Sequence, residues 1–264
     1  MSRINLTQLR AMKSKQEKIA VLTAYDASFS HLLEQAGVDV ILVGDSLGMV
    51  IQGQESTLPV TVDDMVYHTA NVARGSEQAF IIADMPFMSY ANANQAISNA
   101  ARLMAEGGAQ MVKLEGGTVI VDTMVQLTER GIPVCAHLGL LPQSVHRLGG
   151  YRVQGKTEDT AKQLLDDAVA LQQAGADMLV LECVPADVAG RITEALTIPV
   201  IGIGAGADCD GQVLVLYDML GLTPGKRPRF SHDFLADTGG IPAAIAHYVQ
   251  QVKSGDFPGP EQQY

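Results

Sequence analysis

A chain of 264 residues can hold one large core or at most two domains, and 47% hydrophobic with 18% charged residues is an ordinary globular balance. The net charge of -11 and pI near 4.9 exclude the broad basic face that nucleic acid requires, so an anionic ligand must be met by local positive charge or by a metal ion. No apolar run approaches the ~18 residues of a membrane span. Met1-Ser2-Arg3-Ile4-Asn5-Leu6 lacks the apolar core of a signal peptide. Cys135, Cys183 and Cys209 show no Cys-x-x-Cys spacing and read as buried thiols of a reducing compartment. A soluble, cytoplasmic protein with neither membrane nor nucleic-acid partners is expected.

Leu6, Leu9 and Met12 recur at helical spacing and predict a short helix over about 7–18, outside the main fold. Residues 19–23 read as a first strand, followed by Tyr25-Asp26 and a helix that Gly37 terminates. Val40-Ile41-Leu42-Val43-Gly44-Asp45 is the next strand. Residues 46–59 show no helical period and are long for a strand-to-helix link, which marks a functional loop. Thr61 then caps a helix from about Asp63 to Gly75.

The unit recurs along the chain. Strand 80–84 precedes helix 94–106, and strand 109–115 precedes helix 119–130. Strand 133–137 leads through the Gly-rich loop 138–155 to helix 158–174, and strand 177–182 leads to helix 186–196. Strand 198–202 ends in Gly202-Ile203-Gly204-Ala205-Gly206, and 213–217 is the last apolar run. Strands alternating with helices pair in parallel through right-handed crossovers, and unbroken apolar runs fit strands buried on both faces. The length suits a closed barrel of about 250 residues. An open nucleotide-binding sheet would carry Gly-x-Gly-x-x-Gly where Tyr25-Asp26-Ala27-Ser28 stands. The expectation is one (βα)8 TIM barrel over 1–264 with an extra N-terminal helix, its function at the C-terminal ends of the strands.

Those ends are polar: Asp45, Asp84, Lys113 with Glu115, His137 and Glu182. Lys113 and Glu115 share a face because strand side chains alternate. Converging Asp45, Asp84 and Glu115 repel one another unless a cation joins them, and oxygen donors alone favour magnesium. The alternative is that each caps a helix N-terminus. Glu182 is a candidate general base or a partner of Lys113 across the barrel. His137 is a ligand donor or a core histidine. Lys113 forms a Schiff base if desolvated, or stays charged beside Glu115 and holds an anion. The glycine run 202–206 cradles a phosphate or lets the chain pass close to a ligand.

Several stretches together resemble the ketopantoate hydroxymethyltransferase family. They are Thr23-Ala24-Tyr25-Asp26, Val43-Gly44-Asp45-Ser46-Leu47-Gly48, Asp84-Met85-Pro86-Phe87 and Lys113-Leu114-Glu115-Gly116-Gly117. Further along stand His137-Leu138-Gly139-Leu140, Gly149-Gly150-Tyr151, Leu181-Glu182-Cys183-Val184-Pro185, Ile201-Gly202-Ile203-Gly204-Ala205-Gly206 and Asp210-Gly211-Gln212. Two positions depart from the family pattern, Ala136 where Gly is usual and Leu141 where Thr is usual. Both lie beside the site and bear on its shape.

The resemblance implies one-carbon transfer from 5,10-methylenetetrahydrofolate to 3-methyl-2-oxobutanoate through a metal-stabilised enolate, giving 2-dehydropantoate in pantothenate biosynthesis. It implies magnesium surrounded by Asp45, Asp84 and Glu115, directly or through water. Asp45, Ser46, Asp84, Lys113 and His137 would hold the keto acid, Glu182 would be the base, and the assembly would be a homodecamer. The nearest rival is a barrel lyase or mutase of the phosphoenolpyruvate mutase type, for which a catalytic cysteine in a mobile loop is expected; loop 138–155 has none. A catalytically silent barrel serving assembly or ligand binding is the other, and Glu182 beside three acids disfavours it.

Overall fold

Eight runs of four to six residues are buried on both faces and form strands. They are β1 (Ile19–Thr23), β2 (Val40–Val43), β3 (Phe80–Asp84), β4 (Met111–Glu115), β5 (Val134–Gly139), β6 (Met178–Glu182), β7 (Val200–Ile203) and β8 (Gly211–Leu214). The computed structural model describes residues 3–225 and 227–264; Met1 and Ser2, the head of the N-terminal hexapeptide, lie outside the described residues, as does Lys226. Each strand pairs in parallel with the next, and β1 pairs with β8, so the sheet closes into the expected (βα)8 barrel. Pro199 has no N–H to give the ladder, and β7 accordingly starts one residue beyond it.

Helices begin where the chain offers a side-chain oxygen to an orphan N–H. Asp26 accepts from Phe29 N–H at the head of Ala27–Gln35, and Asn92 from Gln95 N–H at the head of Ala93–Ala105. Thr61 and Asp64 make a reciprocal box before Val62–Gly75, as Thr157 and Thr160 do before Glu158–Gln173. Val121–Thr128 and Ala186–Ala195 follow β4 and β6. Among the described residues no helix is long and apolar enough to cross a membrane.

Three expectations need correction. The N-terminal helix, Leu6–Ser14, is part of the fold: Leu9 is fully buried, and Lys13 Nζ lies 2.6 Å from Asp210 Oδ2. Its partners Asp177 and Asp210 directly precede β6 and β8, so the helix crosses the N-terminal mouth of the barrel. The loop expected to lack helix contains one turn, Leu47–Val50, and loop 138–155 contains another, Val145–Leu148. Finally, a helix not anticipated, Ile241–Ser254, closes the barrel's outer layer. Its buried Ala244, Ile245, Tyr248, Val249 and Val252 fall at helical spacing.

Tyr248 carries that helix's polar contact with the sheet. Its hydroxyl shares its one proton between Val21 O and Gln212 O, each 2.9 Å away, across the seam where β1 meets β8. Replacing it with phenylalanine keeps the ring packing and removes only the donor. Tyr248→Phe is expected to lower the unfolding free energy by about 1–2 kcal/mol. A urea denaturation curve with an unchanged midpoint would show that the seam does not rely on this bond.

Candidate active site

The barrel's register builds the site. Asp84 on β3 stands beside Lys113 on β4, and Glu115 stands beside His137 on β5. Gly139 stands beside Glu182 on β6. Gly139 has φ of 92°, and a Cβ there would fall 2.1 Å from Glu182 O. Only glycine lets β5 turn here, with Leu140 N–H donating to Glu182 O at 2.8 Å and fixing the residue that bears the carboxylate. Asp45 lies two residues past β2, where its backbone N–H donates to Asp84 Oδ2 at 3.1 Å. The register thus brings the predicted acids, lysine and histidine together.

Asp45, Asp84, Lys113, Glu115 and His137 are only 3–6% exposed, too little for water to screen their charges. Lys113 Nζ is the hub, 3.2 Å from Asp84 Oδ1, 3.2 Å from His137 Nδ1 and 3.8 Å from Glu115 Oε1. Burial alone would depress the ammonium, but Asp84, Glu115 and Asp45 outweigh it and raise Lys113 above the ordinary lysine value. A lysine held charged binds anions and is a poor Schiff-base former.

His137 reaches Glu115 Oε1 through Nδ1 at 3.4 Å and Glu182 Oε2 through Nε2 at 3.2 Å. The second contact is close but not aligned as a hydrogen bond. Burial and the Lys113 charge depress the imidazole, while Glu115 and Glu182 more than offset them and leave it raised. The partner of Glu182 is therefore His137, and the alternative pairing with Lys113 across the barrel is not formed. His137 is buried with each ring nitrogen against a carboxylate.

The acids divide. Burial pushes Glu115 up, but the bond and charge of His137, the Lys113 ammonium and a backbone N–H from Gln143 bring it below the usual range. Asp45 is driven well up, by burial first and by Asp84 and Glu115 next. Asp84 is also raised by burial, which Lys113 and the Asp45 N–H only partly offset. Among the described residues no three His, Cys, Asp or Glu side chains close on one point tightly enough to hold an ion unaided. Both oxygens of Glu115 are engaged, by His137 and by Gln143, whereas Asp45 gives only Oδ2 to Gln143, which leaves Asp45 and Asp84. Asp84 Oδ1 is buried without a well-formed hydrogen bond, although Lys113 is near. Two hard carboxylates, one of them with an unpartnered oxygen, fit a small divalent cation that takes its other oxygens from water and substrate.

Ser46 is half-buried, and its hydroxyl shares a 2.9 Å hydrogen bond with that of buried Tyr25. Three residues escaped the sequence reading as members of the site: Gln143, Tyr90 and Tyr25 in its role behind Ser46. Gln143 Nε2 donates to Asp45 Oδ2 at 2.8 Å, and its backbone N–H donates to Glu115 Oε2 at 3.0 Å. Tyr90 donates to Gln143 Oε1 at 2.5 Å. A neutral glutamine in a loop carries no charge pattern to betray it. Ala136 is fully buried and, by strand alternation, faces away from His137, so this departure does not shape the site. Leu141 is half-buried, two residues before Gln143.

The glycine run serves close passage within the chain. A Cβ on Gly204 would lie 3.0 Å from the Phe230 side chain and 3.1 Å from Tyr264, and one on Gly206 would lie 2.6 Å from Ala186 Cβ. Phe230, Tyr264 and Ala186 thus pack directly against the run.

Asp45 yields a pH prediction. A carboxyl raised in the folded state gives stability that is fully present below the ordinary carboxylate range and is lost as pH rises through its elevated value. Asp45→Asn, in chelator, should therefore melt higher than the parent at pH 7. The gap should close as pH falls toward 4. A variant that melts lower at pH 7 would mean that Asp45 is not strained by its neighbours.

The family model of ketopantoate hydroxymethyltransferase matches residues 3–260. The chain is 67% identical over 258 residues to 3-methyl-2-oxobutanoate hydroxymethyltransferase of Nitrosococcus oceani, with 98% of each covered. It is 60% identical over 261 residues to that of Tolumonas auensis, covering 99% of this chain and 98% of the relative. Phosphoenolpyruvate phosphomutase from Streptomyces platensis subsp. rosaceus superposes with a TM-score of 0.63 at 17% identity over 83% of each chain, a likeness of fold alone. With its barrel, its strand-end cluster and these relatives, the chain belongs to the ketopantoate hydroxymethyltransferase family.

Proposed function

We propose that the chain transfers a hydroxymethyl group from 5,10-methylenetetrahydrofolate to 3-methyl-2-oxobutanoate, giving 2-dehydropantoate for pantothenate biosynthesis, with magnesium as its resident ion. The supporting observation is one line of contacts at the barrel mouth: Asp84, Lys113, His137 and Glu182, each within 3.2 Å of the next. It sets a charged anion holder beside candidate metal oxygens at one end and a carboxylate base at the other.

Lys113 meets the keto-acid carboxylate, with Ser46 as a hydroxyl donor that Tyr25 keeps in place. Magnesium held by Asp45 and Asp84, with Glu115 behind them or joined through water, would supply Lewis-acid stabilisation of the charge that develops when the C3 proton leaves. Glu182 takes that proton, with His137 Nε2 3.2 Å from its carboxylate as a charged neighbour. The electron pair left at C3 forms the bond to the one-carbon unit, whose two bonds to folate nitrogens break; water supplies the hydroxyl, and its remaining proton and the one taken from C3 go to those nitrogens, releasing tetrahydrofolate. The same family membership is the basis for a cytoplasmic homodecamer, which sedimentation velocity would measure.

The mutase-type rival, with a cysteine on a mobile loop, finds no support. Cys135, Cys183 and Cys209 are all buried, and burial pushes the thiols of Cys135 and Cys209 up to about 12.

Two experiments separate the steps. Glu182→Gln keeps size and hydrogen bonding but accepts no proton, so deuterium exchange at C3 in heavy water should fall about 10²–10⁴-fold without folate. Keto-acid binding should persist, and exchange within a fewfold of the parent would remove Glu182 as the base. Borohydride with keto acid should leave no covalent adduct by mass spectrometry. A reduced adduct on Lys113 would place the chemistry with the Schiff-base aldolases.

A further inference from the structure

We propose that Gln143, anchored by Tyr90, is a positioning residue that holds Asp45 and Glu115 in the orientation the cation requires, an inference that rests on the magnesium reading above. Gln143 is 6% exposed, on a short turn (Pro142–Ser144) in the loop after β5. Its amide is fully engaged. One Nε2 proton goes to Asp45 Oδ2 at 2.8 Å and the other to Met85 O at 3.0 Å, while Oε1 accepts from the Tyr90 hydroxyl at 2.5 Å. A flipped amide would set its oxygen against a carboxylate and a carbonyl, so the partners allow one orientation.

The backbone of the same residue holds the second acid, through N–H to Glu115 Oε2 at 3.0 Å. Tyr90 closes the circuit, because its oxygen also accepts from Glu115 N–H at 3.3 Å. Burial, first of the causes, raises the Tyr90 phenol and keeps its proton available for donation. One glutamine thus occupies Oδ2 of Asp45 and Oε2 of Glu115, leaving Asp45 Oδ1 as the oxygen free for a ligand. It does so without adding charge. A lysine in its place would bind the acids and also cancel the negative field that attracts a cation. Outer partners of this kind fix the first oxygens that touch a metal.

The test uses the full chain with magnesium chloride as the probe, by calorimetry in the presence of 3-methyl-2-oxobutanoate, and thermal unfolding in chelator. Gln143→Met keeps volume and removes both Nε2 bonds while the backbone N–H to Glu115 stays. Magnesium affinity should fall about 10–100-fold, while the chelated melting temperature stays within a few degrees of the parent. Tyr90→Phe should show a smaller loss. The double variant should bind little more weakly than Gln143→Met alone, because Tyr90 reaches Asp45 only through Gln143 and its direct bond to Glu115 N–H is long. Parent-like magnesium affinity in folded Gln143→Met overturns the proposal, as do losses that add in the double variant. If Gln143→Met does not fold, Tyr90→Phe decides, and unchanged magnesium affinity there overturns it. A parent chain that binds no magnesium defeats the magnesium reading itself, a result distinct from a parent that binds and a variant that binds equally.

Discussion

The site depends on the Lys113 ammonium. Three acids, Asp45, Asp84 and Glu115, are buried around one lysine, and its attraction, together with hydrogen bonds from neutral donors, offsets the cost of taking those charges out of water. Losing one partner from a buried ion pair costs about 3–5 kcal/mol, because a charge is left uncompensated. Here a single lysine serves several acids, so the balance stays negative even with Lys113 present. That surplus is uneven. Glu115 is drawn down by His137, Lys113 and Gln143, whereas Asp45 and Asp84 are pushed up by burial. The electrostatics single out Asp45 and Asp84 as the acids that a cation would relieve.

Barrel closure turns this local balance into geometry. Neighbouring strands in register set Asp84 beside Lys113 and Glu115 beside His137, so the contacts follow from pairing rather than from flexible side chains finding one another. His137 then spans the gap to Glu182, which lies opposite a glycine because β5 must turn there. The lysine, the histidine and the candidate base sit on strands, where their backbones are held on both sides. The loops contribute Asp45, Ser46, Tyr90 and Gln143, and hydrogen bonds with the strand residues or with buried Tyr25 tie each of them down.

The legible part of this arrangement was the part written in contrast. A charged residue at the end of an apolar run is a local anomaly, so Asp45, Asp84, Lys113, Glu115, His137 and Glu182 could be named before their contacts were known. The strands were legible for the same reason, since burial on both faces leaves an uninterrupted apolar string. Leu47–Val50 escaped because a single turn is too short to establish a period. Ile241–Ser254 has a clear period but lies far beyond the last apolar run, outside the repeating strand–helix rhythm that guided the reading. Gln143 escaped for a deeper reason. Its role exists only through partners on the β2, β3 and β4 segments, and nothing within its own stretch of chain encodes them. The room taken by Phe230 and Tyr264 beside the glycine run is likewise a long-range fact.

These neutral partners explain how a site can keep an acid surplus and still be ordered. Carboxylates crowded around one lysine would relax apart or take up protons if only charges acted on them. Further lysines or arginines would hold them still but would neutralise the field. Hydrogen-bond donors without formal charge fix position and leave the sign of the field intact, which is what Gln143, Tyr90 and the Asp45 N–H do here. The hydroxyl of Tyr25 does the same for Ser46. The cluster is therefore held in place where it meets the protein, and Asp84 Oδ1 accepts no hydrogen bond while Gln143 takes only Oδ2 of Asp45, so the proposed cation would displace neither bond.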